Sequence, residues 1–306
     1  MLITGVSGML GSNLAYYFRN QYEVLGLYNR HPVEIEKTKT HQVDIVSEAS
    51  LNSVMLGFSP DIIVHCASLT DIDYCEENKG ETETANVLGT RNVVNSVNSQ
   101  NSKIIYISSD SVYDGTKGYY SETDQTNPQN YYGVTKFKGE LEVLKRPNAL
   151  ILRTNIFGWN RIEGKYSLAE WIIRELQSNM SIKGFKDVFF SSLYTFDLAR
   201  ILEKALASNL FGIYNCGSNS ILSKYEFAMH IARRFGFNEK LIKPISIDDH
   251  TLKAKRGKNL SLNSNKLATL LNCELPTISE TVKSFYLDFK DGIPEKIRAQ
   301  RDKKNI

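Results

Sequence analysis

A glycine-rich loop at the start of the chain restricts the fold more than any other feature of the sequence. The apolar residues 1–4 (MLIT) predict a β-strand, and Gly5, Gly8 and Gly11 follow with GxxGxxG spacing before a helical pattern over 12–20. Such glycines allow a tight turn, a close approach of the backbone to a pyrophosphate and close packing of helix on strand. Free amides at the helix N-terminus would bind the phosphates. The loop therefore predicts a dinucleotide-binding βαβ unit.

Short apolar runs alternate with helical patterns through the first half of the chain, which predicts a parallel sheet covered by helices. Strands are expected at 1–4, 23–27, 43–45, 61–64, 103–108 and 149–153, and helices at 12–20, 47–58, 76–99 and 131–145. After Arg153 the pattern loosens, with helices expected at 167–178, 195–208, 223–236, 264–272 and 277–288. The mixed-charge segment from Lys290 is expected to be a solvated end.

These patterns together predict an α/β fold with a doubly wound parallel sheet of the Rossmann type and a smaller α+β C-terminal lobe. We expect residues 1–158 to form the cofactor-binding domain, with a return segment near 191–215. Residues 159–306 would mainly form the substrate-binding lobe.

The composition is that of an ordinary globular protein. Apolar residues make up 42% of the 306 residues, and 37 basic against 34 acidic side chains leave a net charge of +3. No strong basic field would attract nucleic acid or membranes. No apolar run approaches the roughly 18 to 20 residues of a spanning helix, and the N-terminus lacks the basic region of a secretory signal. We therefore expect a cytoplasmic protein that binds neither nucleic acid nor membranes.

The four cysteines show neither CxxC nor zinc-site spacing. They are expected to be reduced thiols that pack in the interior, and no metal site is predicted.

The end of the second predicted strand indicates which dinucleotide would bind. NAD-binding folds usually carry an acidic residue there, which binds the ribose 2′-hydroxyl. Residues 27–31 (LYNRH) contain none, whereas Asn29 can hydrogen-bond a 2′-phosphate and Arg30 can pair with it. This favours NADP(H) over NAD(H); the alternative is a solvated Arg30 in an enzyme that tolerates both. Asp44 and Ile45 would flank the adenine.

A serine, a tyrosine and a lysine form the candidate acid–base group. Ser109 follows the strand predicted over 103–108, and Tyr132 and Lys136 share a face of the helix predicted over 131–145 because they are four residues apart. A phenol has an ordinary pKa near 10, which a nearby ammonium would lower by stabilising the phenolate. The Ser109 hydroxyl would orient a substrate carbonyl. We therefore predict proton transfer beside a nicotinamide.

Motifs along almost the whole chain resemble those of the extended short-chain dehydrogenase/reductase family. The segments GVSGMLG, HCAS, SSDSVYDG, YYGVTK and LRTNIFG occur in that family's order and spacing. The stretch RGKNLSLNSNKL resembles the C-terminal motif of the dTDP-4-dehydrorhamnose reductase branch, with Gly257 where a proline is usual. The resemblance implies a homodimer formed through the helices predicted at 76–99 and 131–145.

The resemblance also implies roles for individual residues. The cofactor-binding residues would be Gly5, Ser7, Gly8, Met9, Leu10, Gly11, Asn29, Arg30, Asp44, Ile45, Cys66, Ala67, Ser68, Tyr132 and Lys136. The substrate-binding residues would be Thr70, Ser109, Asp110, Tyr132, Asn155 and Arg256. Arg256 would pair with the substrate diphosphate, unless it is a surface arginine. Asn86 would be a structural or relay residue.

Departures from the family's motifs reduce the number of reactions that are expected. The triplet Ser109-Asp110-Ser111 lacks the glutamate found in 4,6-dehydratases. No cysteine follows Ser109, unlike in relatives that epimerise next to the ketone, and the acidic residue of NAD-retaining 4-epimerases is missing from the second strand. Dehydration is therefore not expected, and simple carbonyl reduction remains.

The expected function is thus NADPH-dependent reduction of a nucleotide-diphospho 4-keto-6-deoxyhexose, with hydride transfer to the ketone and Tyr132 as proton donor. Residues 153–156 (RTNI) stand where the rhamnose enzyme has RTSW, which leaves a different sugar or nucleotide open. The alternatives are a nucleotide-sugar 4-epimerase with retained NAD and a catalytically silent NADP-binding regulatory subunit.

Overall fold

A seven-stranded parallel sheet organises the chain. The structure, a computed structural model, describes residues 1–97, 102–162 and 164–298. In chain order the strands are β1 (Leu2–Thr4), β2 (Val24–Tyr28), β3 (Thr38–Gln42), β4 (Ile62–His65), β5 (Lys103–Ser109), β6 (Leu150–Thr154), β7 (Ile156–Phe157), β8 (Ile182–Phe185), β9 (Phe189–Phe190), β10 (Leu193–Tyr194), β11 (Gly212–Cys216), β12 (Leu222–Ser223) and β13 (Ile242–Ile245). The large sheet has the order β11-β6-β5-β4-β1-β2-β3. Because this order reverses between β1 and β4, their carboxyl ends border a crevice of the kind in which doubly wound folds bind ligands.

Helices cover both faces of this sheet and form most of a smaller lobe. They are α1 (Met9–Phe18), α2 (Glu48–Phe58), α3 (Ile72–Glu77), α4 (Lys79–Glu83), α5 (Gly89–Asn95), α6 (Tyr131–Val143), α7 (Leu168–Gln177), α8 (Thr195–Ala207), α9 (Lys224–Phe235), α10 (Asn265–Leu270), α11 (Ile278–Lys290) and α12 (Ile293–Arg298). The predicted α/β class, with its smaller α+β lobe, is confirmed. Within the described ranges, no helix combines the length and apolar character required to cross a membrane.

Each part of the molecule has its own apolar core. The large sheet is covered on its two faces by clusters that include Leu14 and Leu198 on one side and Leu51 and Val143 on the other. The smaller lobe is built around aromatic side chains, where the rings of Trp159 and Phe285 stack with centroids 3.9 Å apart. All seven residues of β5 are buried, including the polar Lys103, Ser108 and Ser109 on either side of its apolar middle, as expected for a central parallel strand.

The third strand differs from the prediction in position. It was expected at 43–45, but β3 spans Thr38–Gln42 and pairs with β2 along its whole length. The sequence TKTHQ is polar because β3 is an edge strand, so it lacks the apolar pattern that marks the inner strands. Val43 lies just beyond the strand, where its N–H donates to the Tyr28 carbonyl at 2.8 Å.

The long helix expected at 76–99 is wrong, because the described part is divided. α3 ends at Glu77 and is followed by Asn78, which has non-helical angles (φ −120°, ψ 56°). A π-helical turn over Thr84–Leu88 separates α4 from α5. Positions 98–99 of the expected helix lie outside the described residues. Since π-turns displace the residues that follow and often occur at functional sites, this turn bears on the position of Asn86.

The segment after Lys290 is not simply a solvated end. α12 packs Ile297 into the small lobe, and the Arg298 guanidinium pairs with buried Glu170 at 2.8 Å. Its short apolar pattern was too weak to predict this helix. Residues 299–306 lie outside the described ranges.

Candidate active site

Two adjoining cavities form a cleft at the carboxyl ends of the sheet strands. One of about 370 Å³ extends from the glycine loop to the ends of β5 and β6, and the other, of about 450 Å³, extends from the same loop to the end of β2. All the residues predicted to bind the cofactor line one cavity or both. Of the predicted substrate-binding residues, Thr70, Ser109, Asp110, Tyr132 and Asn155 line the first. The structure thus brings these predicted residues together, with Arg256 as the exception.

The glycine loop leaves its backbone open to the cleft. Gly5 has φ +68°, and a Cβ there would lie 2.7 Å from the Ala67 Cα. A Cβ on Gly11 would overlap the Gly5 carbonyl oxygen. Gly8 provides no side chain to cap α1, so the first amides of the helix are not occupied by a cap. Side-chain-free backbone and helix amides suit a pyrophosphate, so these residues fit a dinucleotide.

Charged side chains gather where the cleft passes the end of β2. The Arg30 guanidinium lies 3.3 Å from the Glu81 carboxylate, and both side chains are exposed. Lys165, from the loop before α7, lines the same cavity. Sequence reasoning missed Glu81 and Lys165, because they are far from Arg30 along the chain and belong to no motif. Glu81 therefore partly neutralises the positive charge of Arg30, and Lys165 provides a second positive charge at this end of the cleft.

Ser109 and Tyr132 lie on one wall of the first cavity. The Ser109 hydroxyl donates to Asp110 Oδ1 at 3.0 Å and accepts from the Ser111 N–H at 3.1 Å. Burial raises the pKa of Tyr132 above its ordinary value, although its hydrogen bond with Ser109 acts in the opposite direction. The expected lowering by a nearby ammonium is therefore wrong, because burial dominates. A phenol with a raised pKa stays protonated at neutral pH, which suits a proton donor.

Lys136 lies one helical turn from Tyr132, and its side chain is buried. Its Nζ lies 4.1 Å from the centroid of the Tyr106 ring. Burial lowers the pKa of Lys136 to about 7, against the attraction of Glu140. Lys136 therefore changes between ammonium and neutral amine near pH 7, within the pH range in which enzymes work.

Asp110 is buried at the end of β5, where the charge of a small-lobe residue acts on it. Its carboxylate accepts from Ser109 and from Asn155 Nδ2, the latter at 2.9 Å. Burial raises the pKa of Asp110, and the positive charge of Lys224 opposes the shift. Lys224 is the first residue of α9 in the small lobe, and its Nζ lies 3.4 Å from the centroid of the Phe190 ring. Lys224 lines neither cavity, but its charge acts on Asp110 from the other lobe. Sequence reasoning missed it, since no motif marks such a residue.

Arg256 does not line either cavity. Its Nη1 and Nη2 lie 3.0 and 3.1 Å from the two carboxylate oxygens of Asp73 in α3. Asp73 also accepts from the Ala254 N–H at 3.0 Å. In this structure Arg256 therefore attaches the segment around 254–256 to α3, and the expected contact with a diphosphate would require this pair to open.

Asn86 holds the loop that follows β4. Its Oδ1 accepts from the Leu69 N–H at 2.7 Å, and its Nδ2 donates to Thr135 Oγ1 of α6 at 3.0 Å. The π-helical turn carries Asn86 in this bridging position. The loop lining the cleft is thereby fixed to the helix that carries Tyr132 and Lys136.

The chain was compared with known proteins. The family model of the RmlD substrate binding domain matches residues 1–290. A dTDP-4-dehydrorhamnose reductase from Aggregatibacter actinomycetemcomitans is 30% identical over 87% of this chain and 91% of its own length. Methionine adenosyltransferase 2 subunit beta from Bos taurus is 29% identical over 88% of this chain and 82% of its own.

Among solved structures, the dTDP-4-dehydrorhamnose reductase from Bacillus anthracis in complex with NADP superposes with a TM-score of 0.79 at 26% identity. The match covers 94% of this chain and 98% of that one. Sequence motifs, sheet order and these comparisons agree: the chain belongs to the RmlD-like branch of the extended short-chain dehydrogenase/reductase family.

Proposed function

We propose that the protein is an NADPH-dependent reductase of a nucleotide-diphospho 4-keto-6-deoxyhexose. The observation that carries this proposal is the presence of Ser109, Tyr132 and Lys136 on the wall of a cavity that begins at the glycine loop. The reductase from A. actinomycetemcomitans and the NADP complex from B. anthracis support the reaction class and the cofactor.

The cofactor would lie along both cavities. The amides of the glycine loop would hold its pyrophosphate, Asp44 and Ile45 would flank the adenine, and Asn29, Arg30 and Lys165 would surround the 2′-phosphate. When bound, NADPH supplies the hydride for the reduction of a ketone.

The chain's own residues would supply the proton. Tyr132, held protonated by burial, donates its phenolic proton to the oxygen of the substrate carbonyl. The Lys136 ammonium, one turn away, stabilises the negative charge left in the site. For Ser109 to donate to the same oxygen, its hydroxyl must turn away from Asp110 Oδ1. Asp110 and Asn155, which are joined by a hydrogen bond, would then face the sugar.

The two parts of the chain would bind different ligands. We propose that residues 1–158, with the return segment 191–215, hold the cofactor in a cytoplasmic enzyme, and that 159–306 mainly bind the nucleotide sugar. A homodimer would form through α5 and α6, which pack side by side. Leu88, Leu141 and Leu144 support this proposal, because they are exposed apolar side chains in or next to these helices.

One second function is favoured by a specific observation. The bovine relative is named as a subunit of methionine adenosyltransferase 2, so a regulatory role that uses the same cleft is the alternative. A regulatory subunit would bind NADPH without oxidising it on any sugar.

Replacement of Tyr132 by phenylalanine tests the reaction. With nucleotide-linked 4-keto-6-deoxy sugars, we expect the rate of NADPH oxidation at 340 nm to fall by roughly 10²- to 10⁴-fold, since a positioned proton donor contributes about that much. NADPH affinity, measured by fluorescence, should not change. The matched control is Tyr131→Phe, because the Tyr131 hydroxyl bonds to Glu83 and Tyr131 lines neither cavity.

Each outcome distinguishes between the functions. Unchanged turnover in Tyr132→Phe would contradict the mechanism. NADPH binding without oxidation by the unaltered protein would favour the regulatory role, and conversion without added reductant would indicate a 4-epimerase.

A further inference from the structure

We infer that Tyr106 is a positioning residue for Lys136, holding its ammonium charged and in place through the face of the aromatic ring. This inference rests on the proposed function, because it explains how the reductase would keep a buried cation beside Tyr132. Tyr106 belongs to none of the motifs that mark the site.

The geometry is that of a buried cation–π contact. Tyr106 lies in the middle of the central strand β5 and is 1% exposed, and Lys136 is 3% exposed. The Lys136 Nζ lies 4.1 Å from the ring centroid. The face of an aromatic ring carries partial negative charge, and its attraction for a cation is stronger where water is excluded.

The other groups around Lys136 offer little free negative charge. Glu140, one turn further along α6, accepts from Ser108 at one carboxylate oxygen and pairs with Arg153 through both. The positive charge of Arg153 therefore offsets that of Glu140. Of the other nearby groups, Tyr132 is kept neutral by burial, which raises its pKa.

The residues at the end of β4, His65 and Cys66, also provide no negative charge for Lys136. Burial raises the pKa of the Cys66 thiol to about 12 and lowers that of His65 to about 3, so both are neutral at pH 7. Among the described groups whose charge acts on Lys136, none supplies an uncompensated carboxylate. The ring face of Tyr106 is therefore the direct contact that favours the ammonium.

The helix that carries Lys136 is shaped around this ring. A Cβ at Gly139 would overlap the Tyr106 hydroxyl and would lie 2.8 Å from ring atom Cζ. Glycine is an unfavourable residue within a helix, and Gly139 lies well inside α6. The gap at Gly139 allows the ring to lie between the helix and the strand, under Lys136.

The test measures the charge of Lys136 directly. The full-length protein is labelled with ¹³C-lysine, the Cε resonance of Lys136 is assigned by its loss in Lys136→Arg, and its titration is followed by NMR. The unaltered protein should titrate near pH 7. In Tyr106→Leu, which removes the ring, we expect a midpoint about one pH unit lower, a roughly tenfold smaller ratio of ammonium to amine. Tyr106→Phe keeps the ring and should titrate like the unaltered protein.

A second variant disturbs the ring without removing it. Gly139→Ala should displace the ring and lower the midpoint by an intermediate amount, and it provides the test if Tyr106→Leu does not fold. In the reductase assay, the alkaline limb of the kcat profile should move to lower pH in the same order, while NADPH affinity stays constant.

The result can overturn the inference independently of the proposed function. Equal midpoints in Tyr106→Leu, Gly139→Ala and the unaltered protein would refute it, as would a shift in Tyr106→Phe as large as in Tyr106→Leu. If the unaltered protein oxidises no NADPH on any sugar, the proposed function fails, and the NMR titration still decides the role of Tyr106.

Discussion

Burial, rather than pairing of opposite charges, sets the ionisation of the residues on the cleft wall. It raises the pKa of Tyr132 and Asp110 and lowers that of Lys136 to about 7. The residues themselves could be predicted, because their types and spacing form a motif. The direction of the Tyr132 shift could not, because it depends on how completely the strands and helices exclude water from the phenol.

His65 provides a test of burial at a single residue. Its ring is buried between Thr4 and Thr90, at 2.7 and 2.9 Å, and its pKa is lowered by burial to about 3. The unfolded chain takes up a proton below pH 6.5, whereas the folded protein does not, so stability should fall as the pH drops from 6.5 towards 3. The His65 contribution approaches about 1.4 kcal/mol per pH unit.

Urea unfolding at pH 6.5, 5.5 and 4.5 would measure this dependence. We expect His65→Asn to be less stable at pH 6.5 but to lose stability less steeply than the unaltered protein. Identical slopes in the two proteins would contradict the prediction.

How accurately a strand or helix could be predicted depends on the physical origin of its sequence pattern. Inner strands such as β5 contain an unbroken apolar stretch, so they are found at the expected positions. The edge strand β3 is polar, and the π-helical turn over Thr84–Leu88 leaves no mark in apolar periodicity, so both were missed. The helices expected from 223 and 277 begin there as α9 and α11, each with a capping box at Ser223 or Thr277, and such caps are local interactions.

The glycine loop gives a prediction at the level of one element. Alanine at Gly11 would place a Cβ against the Gly5 carbonyl oxygen, so the loop must shift. We expect NADPH binding to weaken tenfold or more, which corresponds to about 1.4 kcal/mol, and the free energy of unfolding to fall by about 1–3 kcal/mol.

Gly57→Ala is the matched control, because a Cβ at this exposed position in α2 meets no atom within 4 Å. This variant should bind NADPH normally and be more stable by roughly 0.5–1 kcal/mol. Fluorescence titration and urea unfolding measure both effects, and normal NADPH binding by Gly11→Ala would refute the role of the loop.

Across the whole molecule, the candidate site depends on contacts between distant segments. Lys224, from the small lobe, acts on Asp110 at the end of the central strand, and Arg256 is held by Asp73. Sequence patterns predicted the layers of the fold, because these arise from local periodicity. They did not predict which charged residues of one lobe approach the other, because that depends on the packing of the two lobes.

Lys224 gives a prediction for substrate binding across the two lobes. Lys224 is half-buried, and its ammonium lies over the Phe190 ring with no carboxylate of the described residues within 4 Å. We therefore expect it to bind an anionic or hydroxyl group of the substrate. We expect Lys224→Met to raise KM for the nucleotide sugar roughly tenfold, since a hydrogen bond to a charged group contributes about that much. kcat and the affinity for NADPH should change little.

Lys243→Met is the control, because Lys243 is exposed on β13 in the same lobe. Steady-state kinetics with both variants would separate KM from kcat, and a KM unchanged in Lys224→Met would contradict the assignment.

The segments around Gly115 and Gly257 pass each other too closely for either to carry a side chain. A Cβ on Gly257 would lie 2.7 Å from the Gly115 Cα, and the Asn259 N–H donates to the Gly115 carbonyl at 2.8 Å. The glycine that replaces the usual proline is therefore matched to the loop that follows Ser109. A chimera that takes its C-terminal third from a relative with the usual proline would place that ring against the loop, so residues 113–120 must be exchanged together with it.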